Sequence, residues 1–193
     1  MKYLAALVIF LGCSLFFAPA AFGQRDFLTE QEVELIRDAQ EIDRRIEVLT
    51  HAIDRRLHVL GVGSSGVKIK TNSDWGPLPE GDRSQLFLDI RRLLQKAVDD
   101  IDSLAERPES AILPEPGTRK KGESDYATLF PKAVRSLSGA AARYVPILEA
   151  QLEAEREQSV QGSILTSLDL CREIIASVVK LPAEALKKSG KKT

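Results

Sequence analysis

From Leu28 to Leu60 the apolar positions recur at steps of three, four or seven: Leu28, Leu35, Ala39, Ile42, Ile46, Leu49, Ile53, Leu57 and Leu60. That period winds one stripe along a helix. It predicts a single unbroken helix over 28–60, about 50 Å long at a rise of 1.5 Å per residue. Thr29 suits the N-cap, and Glu32, three residues on, completes a capping box. Glu30, Glu32 and Glu34 suit the positive end of the helix dipole. Gly61 is placed to end the helix.

Three further stripes follow. Leu86, Ile90, Leu93, Ala97, Ile101 and Leu104 predict a helix over 82–106, opened by an Asp82–Gln85 capping box. Phe130, Ala133, Val134, Leu137, Ala141, Tyr144, Val145, Leu148 and Leu152 predict a helix over about 126–158. Pro146 lies inside it and is expected to kink or split it. Ile164, Leu168, Cys171, Ile175 and Val178 predict a last helix over 163–181, after a turn at Ser159–Gly162. Val67–Lys70 alternates but is too short to found a sheet. The fold class expected is all-α: an elongated antiparallel helical bundle of about four helices. Long connections fall at 61–81 and 107–125.

The first residues change the picture of where the chain works. Lys2 precedes an apolar run from Leu4 to Phe17, and then come Pro19 and the small residues Ala20, Ala21 and Gly23. This is the pattern of a secretory signal peptide over 1–23, cleaved after Gly23 or Ala20. A secreted or periplasmic protein, bacterial in type, is therefore expected, with no integral membrane segment once the peptide is removed. Retention of residues 4–22 as a membrane anchor is the alternative. Removing 23 of the 193 residues leaves 170, one helical-bundle domain over 24–193.

Charge and cysteine content narrow the partners. Without Lys2, 26 basic side chains face 28 acidic ones, which gives no reason to expect nucleic acid. Of the two cysteines only Cys171 lies beyond the leader, so no internal disulfide is available, and its helical neighbours Leu168 and Ile175 mark it as a buried thiol. With no methionine after Met1 and no C-x-x-C-H, haem is not expected.

Candidate chemistry is thin. Gly61-Val62-Gly63-Ser64-Ser65-Gly66 spells G-x-G-x-x-G, but it follows a helix rather than a strand, and no helix opens after it. Val67 stands where a P-loop needs lysine. Ser65–Lys68 and Ser177–Lys180 both fit S-x-x-K without the companion motifs of serine acyl-enzymes. Glu47, His51, Asp54 and His58, spaced four, three and four, form one helical stripe with ligand types that suit zinc. The two histidines lie about 10 Å apart along the axis, so a solvated row of surface pairs is expected rather than a metal site. Asp-Arg-Arg recurs at 43–45 and 54–56, an eleven-residue interval that places both copies on one face.

The 61–81 connection holds the only tryptophan, Trp75, beside Pro77 and Leu78. These three are expected to fold back on one end of the bundle, or else to form an exposed partner-binding knob. Gly61–Gly66 is expected to act as a hinge without ligand. The sequence thus points to an extracytoplasmic bundle with a structural or protein-interaction role, an unidentified protein as partner, and no catalytic residue or cofactor. A ligand- or metal-binding bundle is the alternative.

Overall fold

The structure is a computed structural model that describes residues 26–63, 67–69, 74–106 and 126–181. The leader over 1–23, the centre of the glycine motif at 64–66 and the connection 107–125 lie outside these residues. The described residues form five α-helices and no strand. They are α1 (Glu30–Asp38), α2 (Ile42–Val59), α3 (Arg83–Glu106), α4 (Tyr126–Ala154) and α5 (Gln158–Ser177), which runs into a single 3-10 turn at Val178–Lys180.

The end signals act as their chemistry predicts. Thr29 Oγ1 accepts from the Glu32 amide at 3.2 Å, and the Glu32 carboxylate accepts from the Thr29 amide at 3.0 Å. Asp82 and Gln85 make the same reciprocal pair at the start of α3. At the end of α2, Gly61 takes φ +73°, its amide donates to His58 O and the Val62 amide reaches back to Leu57 O. This is a Schellman closure, and only glycine enters that conformation cheaply.

Two neighbouring ion pairs set the packing direction. Asp43 pairs with Lys132, and Asp54 lies 3.5 Å from Arg143. Both members advance by eleven residues, so α2 and α4 run parallel. Arg56 near the end of α2 meets Asp89 near the start of α3, and Arg83 at the head of α3 bonds Glu155 and Gln151 at the tail of α4. Hence α3 opposes both, and α5, which folds back on α4, runs with α3. The helices close a ring in the order α2, α3, α5, α4; α3 and α4 lie across a diagonal and touch little. The fold is therefore a bundle of two antiparallel hairpins laid side by side, in which two of the four neighbouring pairs are parallel. The antiparallel packing expected holds for the pairs α2–α3 and α4–α5, while α2–α4 and α3–α5 are parallel. The long connection 107–125 joins diagonal helices, whereas a short one would have forced α3 and α4 side by side.

Three other expectations change. The predicted 28–60 helix is broken at 39–41, and α1 folds back along α2. Helix α4 is continuous through Pro146. Pro146 and Ala142, whose carbonyl loses its donor, are both exposed, so water can satisfy the freed group. Ser159–Gly162 is helical; the turn lies at 155–157, where the Glu155 carboxylate accepts from the amides of Arg156 and Glu157.

The core joins Ile42, Ile46, Leu49, Ile53, Phe87, Leu93, Leu137, Tyr144, Leu148, Ile164, Leu168 and Cys171, all buried. On α5, Ile174 enters the core and Ile175 does not, being 36 % exposed. Among the described residues no helix is long and apolar enough to cross a membrane.

Candidate functional site

Helix α2 is covered on three sides, by α1, α3 and α4. Its polar residues are consequently drawn inside. Arg55 and Arg56 are both fully buried, as is Glu32 above them. Glu32 Oε1 accepts from Arg55 Nη1 and Arg56 Nη1, each at 2.9 Å, and Oε2 accepts from Arg56 Nη2 at 2.8 Å. Arg56 also donates to the carbonyls of Ala52 and Phe27, and its Nε lies 3.7 Å from Asp89 Oδ2. Arg55 donates to the carbonyls of Gly76 and Pro77. One carboxylate and two guanidiniums thus tie the chain entry, α1, α2 and the 76–77 turn to one point, with Asp89 of α3 beside it. Burial pushes the Arg55 guanidinium below its ordinary pKa, and the Glu32 charge opposes that. The donors meet acceptors almost everywhere; the two Nε atoms lack a hydrogen-bond partner.

Trp75 is buried on this cluster. Its ring lies 4.3 Å from the His51 ring in an edge-on contact, and the Arg55 guanidinium sits 5.5 Å from its centroid. Gly76, at φ +60°, is pressed against α1, where a Cβ would lie 2.7 Å from the Gln31 side chain. Of the three expected partner-contacting residues, Trp75 is packed into the protein, Leu78 is half-buried and Pro77 is exposed.

The Glu47–His58 stripe does not stay together, and it does not face water as a row. Glu47 is exposed beside Arg44 at 3.3 Å, and His58 is exposed. His51 is half-buried under Trp75. Asp54 is buried against α4, near Arg143 and Tyr144. Burial raises its pKa, and Arg143 opposes the shift. The stripe is split because α4 and the 74–80 segment cover parts of the α2 surface that a period along one helix leaves open. Among the described residues no three His, Cys, Asp or Glu side chains gather as a metal ion requires. Gly61 closes α2, and residues 67–69 beyond the glycine motif are not helical, so among the described residues no helix opens directly after it. Burial pushes the Cys171 thiol up to about 12, which makes it unreactive at neutral pH.

Two of the open features among the described residues bear on binding. A groove of about 670 Å³ follows α1 and is lined by Leu28, Val33 and Leu35 together with the carboxylates of Asp26, Glu30, Glu34, Asp38 and Asp74. A cavity of about 320 Å³ is lined by Asp54, His58, Gly61, Gly63, Val67 and Ile69. Sequence periodicity missed the Glu32–Arg55–Arg56 cluster, although the signal was present. Arg55 and Arg56 sit between Ile53 and Leu57, both core positions, on a helix with apolar residues close to every face. No family model matches the chain, and no curated protein or solved structure shows significant similarity to it.

Proposed function

We propose that this chain is an exported helical bundle that acts by binding another protein rather than by catalysis. The observation that carries the reading is the groove on α1. Its lining combines apolar side chains, Val33 at 37 % exposure among them, with five acidic ones. A basic amphipathic segment fits such a surface, with apolar contact for affinity and charge for steering. Export is supported by the leader pattern of residues 1–23.

A photocrosslinking side chain at Val33, in protein expressed in its own cell, tests the reading. The expected result is a discrete adduct in the exported fraction, with a basic segment at the crosslink and an N-terminus at Gln24 or Ala21. An adduct pattern no different from that of a crosslinker at Gln95, exposed on α3, overturns the binding reading. Recovery of the intact leader in a membrane fraction overturns export.

Ligand binding is the second reading, and the cavity beside Asp54 favours it, because a buried carboxylate and His58 share its wall. Calorimetric titration with zinc and with small amines, repeated on His58→Ala, decides it. No saturable heat removes the reading.

A further inference from the structure

The break between α1 and α2 has no local cause. From Glu30 to Val59 there is neither proline nor glycine, and the break itself, Ala39-Gln40-Glu41, consists of good helix formers. The apolar stripe runs across it without a phase change. Glu41, at the N-cap of α2, makes no side-chain capping bond, and Ala39 at the end of α1 has φ −76° rather than the left-handed conformation of a helix stop. Local sequence therefore favours one long helix. The bend is imposed from outside, by Glu32 on Arg55 and Arg56 and by Arg45 Nε donating to the Ala39 carbonyl at 3.2 Å. A conflict between local preference and tertiary contact is the mark of a segment with two available packings.

The contacts of α1 are also of a kind a second molecule can supply. Among the helices it packs on α2, and Glu32 is its one fully buried side chain. We propose that α1 is an exchangeable strap: residues 39–41 straighten, Glu30–Val59 becomes one helix, and α1 docks on a second copy of this chain to form a domain-swapped dimer. Each Glu32 then sits on the Arg55 and Arg56 of the other copy, so the charge pairing of the cluster is kept. Asp43 and Arg44 lie midway between Glu32 and Arg55 in the chain. Two such helices, antiparallel across a two-fold axis near these residues, bring both Glu32 side chains to the opposite arginine pairs at once. The exchange leaves the bonds of the cluster unchanged and adds helical bonds at the hinge, which makes it a low-cost route to a dimer. Concentration then sets its population.

Light scattering from micromolar to millimolar protein, with pulsed electron resonance distances, tests this. Spin labels go on the exposed positions Glu34→Cys and His58→Cys in a Cys13→Ser/Cys171→Ala background, diluted into unlabelled chains so that only distances within one chain are read. In the strapped form α1 lies back along α2 and the distance is short. In the straight helix 24 residues separate the labels, about 36 Å. The expected result is a dimer that grows with concentration and carries the long distance. Glu41→Pro should reduce both, because φ −76° at Glu41 already suits proline in the bent form, whereas in the long helix a proline there removes the bond to the Arg37 carbonyl and crowds it. A chain that stays monomeric throughout overturns the proposal, as does a dimer that keeps only the short distance or one that a folded Glu41→Pro variant forms equally well. If that variant fails to fold, the distances in the parent chain decide alone.

Discussion

Glu32→Gln tests how the buried cluster is held together. The side chain keeps nearly the same volume, so the change removes a charge and leaves no cavity. Its carboxylate accepts three bonds from guanidinium nitrogens and one from the Thr29 amide, all between 2.8 and 3.0 Å. An amide has one acceptor oxygen, and its NH2 group would face guanidinium donors with nothing to accept from it. Breaking a buried ion pair from one side costs about 3–5 kcal/mol, because the partner charge is left without compensation. Here two cations are left, and Asp89 stands 3.7 Å from one of them, at Arg56 Nε. Those terms push toward the upper end.

A second route limits the loss. Helix α1 can lift away and let water reach both guanidiniums, so the cost cannot exceed the free energy that docks α1. The expected outcome is a stability loss of about 3–4 kcal/mol in urea, within the range for one-sided loss of a buried pair. In hydrogen exchange, amides of 30–38 should become fast while those of α3, α4 and α5 stay slow relative to the lowered global limit. A Glu32→Gln protein within about 1 kcal/mol of the parent, with α1 amides as protected as before, would show that the cluster does not hold α1.

Other expectations follow from single positions. Leu49 is fully buried in the central core, so Leu49→Ala should cost about 2–5 kcal/mol in denaturant unfolding; a loss below about 1 kcal/mol would contradict its place there. Gly162 is helical and exposed, and a Cβ there meets nothing within 4 Å, so Gly162→Ala should stabilise by about 0.5–1 kcal/mol, read as a raised urea midpoint at unchanged slope. The Arg83 guanidinium and the amides of Glu157 and Arg156 hold the Glu155 carboxyl at about 2, below its usual 4.5. A depressed acid stabilises the fold above its unfolded pKa and loses that contribution as pH falls through the folded value. Stability measured from pH 6 down to 2 should therefore fall less steeply below about 4.5 in Glu155→Gln than in the parent; identical slopes would remove Glu155 from the acid response.

The four bundle helices α2 to α5 were legible in the apolar period because each buries an apolar stripe, and the stripes around Leu49, Leu93, Leu137 and Leu168 are the core. The capping pairs at Thr29–Glu32 and Asp82–Gln85 were legible because their chemistry is contained within four residues. What escaped depends on residues far apart in the chain. The bend at 39–41 needs Glu32 to meet Arg55, and no local pattern encodes that distance. The interior place of Asp54 needs α4 to cover it. Ile174 and Ile175 are adjacent, and a period alone leaves the choice between them to the tilt of α5 against its neighbours.

The eleven-residue echo in α2 acquires its meaning from another helix. Asp43 and Asp54 open the two Asp-Arg-Arg copies, and their cationic partners, Lys132 and Arg143, are eleven residues apart on α4. Eleven residues are close to three full turns, so both pairs fall on the same seam of two parallel helices. Sliding α4 by one turn would break both pairs at once and leave Asp54 buried without its cation. Tyr144 adds a third anchor, donating to the Thr50 carbonyl at 3.0 Å from a fully buried ring. Lys132 is largely exposed, so its pair adds little stability, and its value is in excluding other registers. The second arginine of each copy reaches a backbone carbonyl before α2, Arg45 to Ala39 and Arg56 to Phe27. The repeat is thus one device used twice: the aspartate sets the register against α4, and the second arginine holds a backbone carbonyl of the preceding chain, at the α1–α2 bend in the first copy and ahead of α1 in the second.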